Sequence, residues 1–406
     1  VEKSENSEIS EYFNYSMKKA GIYIHIPFCK SRCSYCDFAT DVYRNDEAVE
    51  RYVSALCAEI SGTEARRLVA VEKEESTLTG VRASVLVDTI YFGGGTPSLL
   101  SANQLEKILN AIYKKFSVEK EIEITLEMNP ATVSAEKLRD FKSLGVNRAS
   151  FGVQTFDDRA LKILARGHSA EDARKTFELL RKAKFENISF DLIAGLPNQT
   201  LADWNKNLDE ALKLNPEHLS LYLLEIHEGT PLAEQIRSNR QPMPDENLAA
   251  QMYELMLDKT SEKGFVQYEI SNFAKPDFES KHNSKYWLCE PVLAFGVSAH
   301  SFDGKSRWAN ERNTSLYVSL IESGKSPVVY IEKPDLASEF VFLGLRTTKG
   351  IDLKAYKRRF GVNLLSKHAE EMQNLIQHGL IQVTEKTLRL TRKGMLFSNE
   401  VFAYFV

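Results

Sequence analysis

Apolar residues along the chain gather in short runs, and the segments between them carry apolar positions every third or fourth residue. Six runs rich in Ile, Val, Leu, Phe and Tyr read as strands: 21–26, 85–92, 121–126, 147–153, 187–193 and 218–225. The intervening spacing predicts helices over 47–68, 102–116, 134–144, 170–183 and 201–214. In the last of these, Leu201, Trp204, Leu208, Ala211 and Leu212 fall on one face. Such alternation implies parallel strands joined by right-handed crossovers. Six units fall short of the eight that close a β/α barrel. The expected fold class is therefore α/β, an incomplete (β/α)6 barrel. The polar stretch 71–84 reads as a loop lengthening the first crossover.

The alternation fades after Thr230. A helix is expected over 245–263, followed by irregular segments to about Trp308. Two helical stretches, 352–360 and 363–378, then precede a short strand pair at 381–383 and 388–390. Helix, helix and hairpin make a winged-helix-like C-terminal α+β module. The expected division is an N-terminal extension over 1–16, with Met17 a natural start, then a partial barrel over 17–230. A region over 231–335 that contains the His-Asn-x-x-Tyr-Trp sequence and the C-terminal module over 336–406 complete it.

Composition changes this picture little. The 406 residues are 43% hydrophobic and 27% charged, with a net charge of −4, which gives no global basic field for nucleic acid. Arg389, Arg392 and Lys393 sit at the wing of the C-terminal module and read as a solvated charged face, since charge alone carries no base readout. No apolar run approaches the roughly 20 residues of a membrane span, and the polar start lacks a signal-peptide core.

The cysteines carry the chemistry. Three of five lie in His-Ile-Pro-Phe-Cys-Lys-Ser-Arg-Cys-Ser-Tyr-Cys-Asp-Phe, directly after the first strand, as Cys29, Cys33 and Cys36. Clustered thiols without a signal peptide point to a reducing cytoplasm and a metal, not to a disulfide framework. Thiolates suit iron–sulfur clusters. Three of them on a [4Fe–4S] cubane leave one iron open to chelate the amino and carboxylate groups of S-adenosylmethionine (SAM), whose carbon–sulfur bond the reduced cluster then cleaves. A structural zinc site with His25 as fourth ligand is the alternative, but zinc usually gathers two paired ligand sets and only one is present.

This segment resembles the signature of the radical SAM superfamily, and the surrounding residues resemble the oxygen-independent coproporphyrinogen III oxidase family over almost the whole chain after Met17. The resemblance implies a SAM pocket at the strand ends. Gly93-Gly94-Gly95-Thr96-Pro97 follows the second strand, where glycines let backbone approach a ligand, and Gly94, Gly95 and Thr96 are the implied contacts. Glu127 ends the third strand in Glu-Met-Asn-Pro, Gln154 ends the fourth, Arg166 follows in Leu-Ala-Arg-Gly-His, and Asp191 lies in the fifth. Tyr23 is implied near the cluster-bound SAM. Convergence of strand ends on one mouth follows the placement rule for β/α barrels.

Two members of that family compete. The oxidases carry a further cysteine two residues after the third; here that position is Phe38. Cys-Asp-Phe, and His282-Asn-Ser-Lys-Tyr286-Trp287 after Tyr-Glu-Ile-Ser-Asn-Phe-Ala, resemble the HemW-type heme chaperones instead. Histidine is a natural axial ligand for heme iron, and Tyr286 and Trp287 offer flat apolar area for a porphyrin. His300 is the rival ligand. The resemblance therefore implies heme as a third cofactor, bound by an HNxxYW segment outside the barrel, with heme-accepting proteins such as respiratory-chain hemoproteins and an electron donor as partners. Transient contact with membrane-bound acceptors and a lack of coproporphyrinogen III dehydrogenase activity are further implications.

Overall fold

The computed structural model describes residues 19–62 and 85–405. The extension over 1–16, the loop over 71–84 and the predicted helix beyond 62 lie outside the described residues. In chain order the first strands are β1 (Lys19–Ile26), β2 (Phe28–Cys29), β3 (Asp41–Val42), β4 (Leu86–Gly94), β5 (Ser117–Met128), β6 (Arg148–Gln154), β7 (Asn187–Ala194) and β8 (His218–Leu223). Strands β1 and β4 to β8 are the six expected; they lie side by side in chain order and every pair is parallel.

Helices Asp46–Ser61, Ala102–Lys115, Ala135–Ser143, Ala170–Lys182 and Leu201–Leu214 cover one face. Each starts where a side chain, Asn45, Ser101, Ser134, Ser169 or Thr200, accepts an N–H of the first turn. Ile22, Ile24, Ile90, Phe92, Ile124, Leu126, Phe190 and Leu192 point to this face and are fully or almost fully buried in one core. Strand side chains alternate, so the neighbouring positions line the other face. That face carries Tyr23, His25, Thr89, Tyr91, Glu123, Glu127, Arg148, Asp191 and His218. The polar half of the alternation is thus an interior of its own.

The region after Thr230 is more ordered than its pattern predicts. The helix at Glu246–Glu262 is present, and β9 (Val266–Glu269), β10 (Asn272–Ala274), β11 (Val292–Phe295), β12 (His300–Phe302), β13 (Arg307–Asn310) and β14 (Val328–Glu332) extend the sheet to twelve strands. β10 and β9 join beyond β8, while β11 lies parallel to β1 and brings β12, β13 and β14 to the opposite edge. Runs of three to five residues are too short for periodicity to reveal, and their partners are distant in sequence.

At the C-terminus β15 (Ile351–Asp352), β16 (Ile381–Val383) and β17 (Thr387–Leu390) form a separate sheet in the order β15-β17-β16. The single helix expected over 363–378 is two, Leu364–Lys367 and Ala369–Gln377, broken at His368 (φ −121°, ψ 42°). Arg389 donates to Gln382, and Arg392 pairs with Glu254 and Asp258 of the helix Glu246–Glu262. Among the described residues, no helix is long and apolar enough to cross a membrane.

Candidate functional site

The cysteine loop leaves the sheet at the C-terminal end of β1. Backbone bonds close it: Asp41 N–H donates to Pro27 O (2.8 Å) and Tyr43 N–H to Cys29 O (2.7 Å), with β2 and β3 paired in parallel. Ser34, which sequence reasoning missed, pins its far side. The Ser34 N–H and hydroxyl donate to the carbonyls of Leu164 and Ile163 (both 2.9 Å), and its own carbonyl accepts from Leu232 N–H (2.8 Å). Cys29, Cys33 and Cys36 are all free and half-buried. Burial pushes the Cys29 thiol up to about 11, against a hydrogen bond from Thr96, and raises Cys36 too. A thiolate is costly here unless a cation offsets its charge.

Two of the thiols, those of Cys33 and Cys29, are joined by a hydrogen-bonded chain. Arg166 Nη1 donates to Cys33 Sγ (3.4 Å) and Nη2 to Asn129 Oδ1 (2.9 Å) and Gly152 O (2.7 Å). Asn129 Nδ2 donates to Thr96 Oγ1 (2.8 Å), which donates to Cys29 Sγ (3.5 Å). Asn129 was visible in Glu-Met-Asn-Pro but carried no signal of its own. Arg166 Nε is buried with no partner among the described residues. His25 does not fit the zinc alternative: Nε2 lies 2.8 Å from Ala39 O and Nδ1 3.2 Å from Tyr23 Oη, so both ring nitrogens are engaged. Among the described residues, no three His, Cys, Asp or Glu side chains are grouped to hold a single metal ion. A cubane makes a different demand, since each thiolate reaches its own iron.

The glycine loop packs more tightly on the protein itself than its sequence suggests. A Cβ on Gly94, whose φ is +108°, would lie 2.6 Å from the His25 ring, and one on Gly95 would lie 2.6 Å from Pro27 O. The turn therefore needs glycines even before any ligand is considered. Gly94 N–H donates to Glu127 Oε2 (3.2 Å), and Tyr91 Oη donates to Oε1 (2.7 Å). Burial, with a smaller push from the nearby Asp191 charge, raises Glu127 to about 7 despite these bonds. Asp191 is itself raised by burial, opposed by Ser220, Arg148 and Arg166. Gln154 ends β6 in the left-handed region (φ +66°), a strained conformation for a residue with a Cβ. The structure thus brings Gly94, Gly95, Thr96, Glu127, Gln154, Arg166 and Asp191 to the strand ends beside the cysteine loop, and Tyr23 just beneath.

The HNSKYW segment is not separate from this core, and here the sequence expectation is corrected. It forms the helix Lys281–Trp287, which packs against β4. Its first turn is received by Glu123 of β5, whose carboxylate oxygens accept the N–H groups of Lys281 (3.2 Å) and His282 (3.1 Å). His282 is 1% exposed and stacks on Tyr91, with ring centroids 5.1 Å apart and planes 28° from parallel. Its Nδ1 lies 2.9 Å from Thr89 Oγ1 and its Nε2 3.3 Å from Tyr286 Oη. Burial lowers it to about 3, so it is neutral, and neither nitrogen is free for a metal as placed. Tyr286 is half-exposed and Trp287 packs edge-on against Tyr268 (5.7 Å). His300 is exposed at the start of β12; its Nδ1 is 3.2 Å from Tyr330 Oη. Among the described residues its Nε2 makes no hydrogen bond.

Residues 23–211 match the radical SAM superfamily and residues 331–397 match the HemN C-terminal domain. A Bacillus subtilis protein named heme chaperone HemW is 38% identical, covering 96% of this chain and 99% of its own. A Bos taurus protein named radical S-adenosyl methionine domain-containing protein 1, mitochondrial, is 34% identical over 93% of this chain and 85% of its own. The solved structure of coproporphyrinogen III oxidase HemN from Escherichia coli superposes with a TM-score of 0.81 over 99% of this chain and 93% of its own, at 23% identity. That likeness shows the shared fold. With the cysteine loop, the glycine turn and the full-length matches taken together, the chain belongs to the HemW family of the radical SAM superfamily.

Proposed function

We propose that the protein is a heme chaperone that carries a [4Fe–4S] cluster with exchangeable SAM, binds heme and passes it to acceptor hemoproteins. Cys29, Cys33 and Cys36 hold the cluster. When bound and reduced, the cluster supplies the electron that cleaves a carbon–sulfur bond of SAM. The chain's own residues bind and orient: Gly94, Gly95 and Thr96 line the methionine end, and Glu127 faces positive charge on the ligand. Arg166 would contact the ligand carboxylate and Asp191 its ribose, with Gln154 and Tyr23 completing the pocket. The observation that carries this reading is the chain from Cys33 through Arg166, Asn129 and Thr96 to Cys29, which ties two thiols to the pocket residues. Hydrogen bonds to sulfur lower its charge and tune a cluster.

The heme part rests on the HemW relatives and on Phe38. That residue is 66% exposed at the position where the oxidases carry a further cysteine, so the oxidase pattern fails at a specific place. His300 is the better axial ligand: Tyr330 engages Nδ1 and, among the described residues, Nε2 has no hydrogen bond, an arrangement that suits a metal-binding histidine. On the same face the register aligns His300 with Ala309 and Tyr330 across three strands. A cytoplasmic location suits five free cysteines. In the C-terminal module Arg392 is committed to Glu254 and Asp258, which supports docking within the chain over nucleic-acid binding. Anaerobic reconstitution followed by parallel heme-binding and coproporphyrinogen III conversion assays is the test. Heme bound without conversion is expected; efficient conversion would favour the oxidase.

A further inference from the structure

We propose that His282 is a positioning residue for the SAM pocket: it holds Tyr91, and through Tyr91 the Glu127 carboxylate, in the geometry that receives the ligand. This rests on the SAM reading above. The tyrosine ring has little freedom. His282 stacks on it at 5.1 Å (28°), and Tyr23 lies at 6.1 Å (23°). Those contacts fix the direction of the phenol, whose hydroxyl meets Glu127 Oε1 at 2.7 Å.

His282 is in turn fixed at three atoms. Glu123 Oε1 takes its backbone N–H (3.1 Å), Thr89 Oγ1 holds Nδ1 (2.9 Å), and Tyr286 Oη lies 3.3 Å from Nε2. Space is reserved for it: a Cβ on Gly21 would come within 2.8 Å of Thr89 Oγ1 and 3.0 Å of His282 Nδ1. A residue that only filled the interior would need an apolar ring and none of these bonds. Buried polar groups are costly unless satisfied, and satisfied networks specify one arrangement. The arrangement specified here ends on Glu127, and among the described residues Tyr91 is one of two groups that hydrogen-bond that carboxylate. The HNSKYW helix therefore reaches the pocket without touching the ligand.

The test is a double-mutant cycle on reconstituted protein, with SAM affinity measured by calorimetry and thermal melting followed in parallel. His282→Ala and Tyr91→Phe should each weaken SAM binding by about tenfold while cluster iron is retained. The double variant should bind no more weakly than Tyr91→Phe alone, because His282 acts only through the hydroxyl that Phe lacks. Should His282→Ala not fold, Thr89→Val keeps the imidazole but releases Nδ1, and it should weaken SAM severalfold. A merely structural histidine would lower melting in both backgrounds and leave SAM affinity unchanged. Wild-type affinity in His282→Ala or Thr89→Val, or additive losses in the double variant, would overturn the proposal alone. Absence of SAM binding in the wild type would overturn the SAM reading and this proposal with it.

Discussion

Replacing Glu127 by Gln should separate charge from shape in the SAM pocket. The carboxylate accepts from Tyr91 Oη and Gly94 N–H, and both bonds have a counterpart in the amide. Gly94 N–H can only donate, so the amide oxygen must face it. The amide NH2 then faces the Tyr91 hydroxyl, which can rotate to accept. The pocket keeps its geometry and loses one negative charge. A hydrogen bond involving a charged group is worth about 1.5–3 kcal/mol, so SAM affinity should fall roughly 10- to 150-fold. Glu127 titrates near 7 in the unliganded protein. Cationic SAM favours its ionised form, so wild-type affinity should decline as pH falls below about 7, approaching about tenfold per pH unit. The sign follows because binding must then release a proton from the carboxyl. Glu127→Gln has no such proton and should give a flat profile between about pH 6 and 8, apart from effects shared with the wild type. Calorimetry on anaerobically reconstituted protein reads both quantities. Equal affinities, or the same pH slope in the variant, would refute the reasoning.

Three further outcomes are expected. Cys29→Ala, Cys33→Ala and Cys36→Ala should each abolish the brown absorption and iron loading of the reconstituted protein, whereas Cys57→Ala, which lies on the helix Asp46–Ser61, should retain both, as iron and sulfide analysis will show. His300→Ala should shift the heme Soret band and speed heme loss, while His282→Ala should leave the Soret band in place; the reverse pattern in heme titrations would return the axial ligand to His282. Burial lowers His282 to about 3, so its contribution to stability is present above its ordinary value near 6.5 and is lost as pH falls from there towards 3. The loss approaches about 1.4 kcal/mol per pH unit, and His282→Gln should flatten that part of the stability profile in denaturant titrations.

Local chemistry made much of this protein legible from its sequence. The six parallel strands follow from apolar runs bounded by capped helices, and the cap at each helix start lies within a few residues of the helix it begins. The cysteine spacing is equally local: a segment of eight residues from Cys29 to Cys36 presents three thiols whatever lies around it. Strand residues such as Glu127, Gln154 and Asp191 could be ordered towards one mouth because parallel strands all run towards the same side. What the sequence could not reveal depends on contacts between distant residues. The place of His282 is set by Glu123, 159 positions away, and by Thr89, 193 positions away. Nothing in HNSKYW itself distinguishes a surface heme ligand from an interior imidazole. Ser34 acts through a carbonyl 129 positions on, and Asn129 gains its role only when Thr96 and Arg166 arrive on either side. The strands from Val266 to Glu332 were hidden because they are short and owe their form to neighbours already in the sheet. Periodicity records which side of an element is buried; only the assembled sheet determines what lies against it, because pairing brings together residues whose separation along the chain carries no signal.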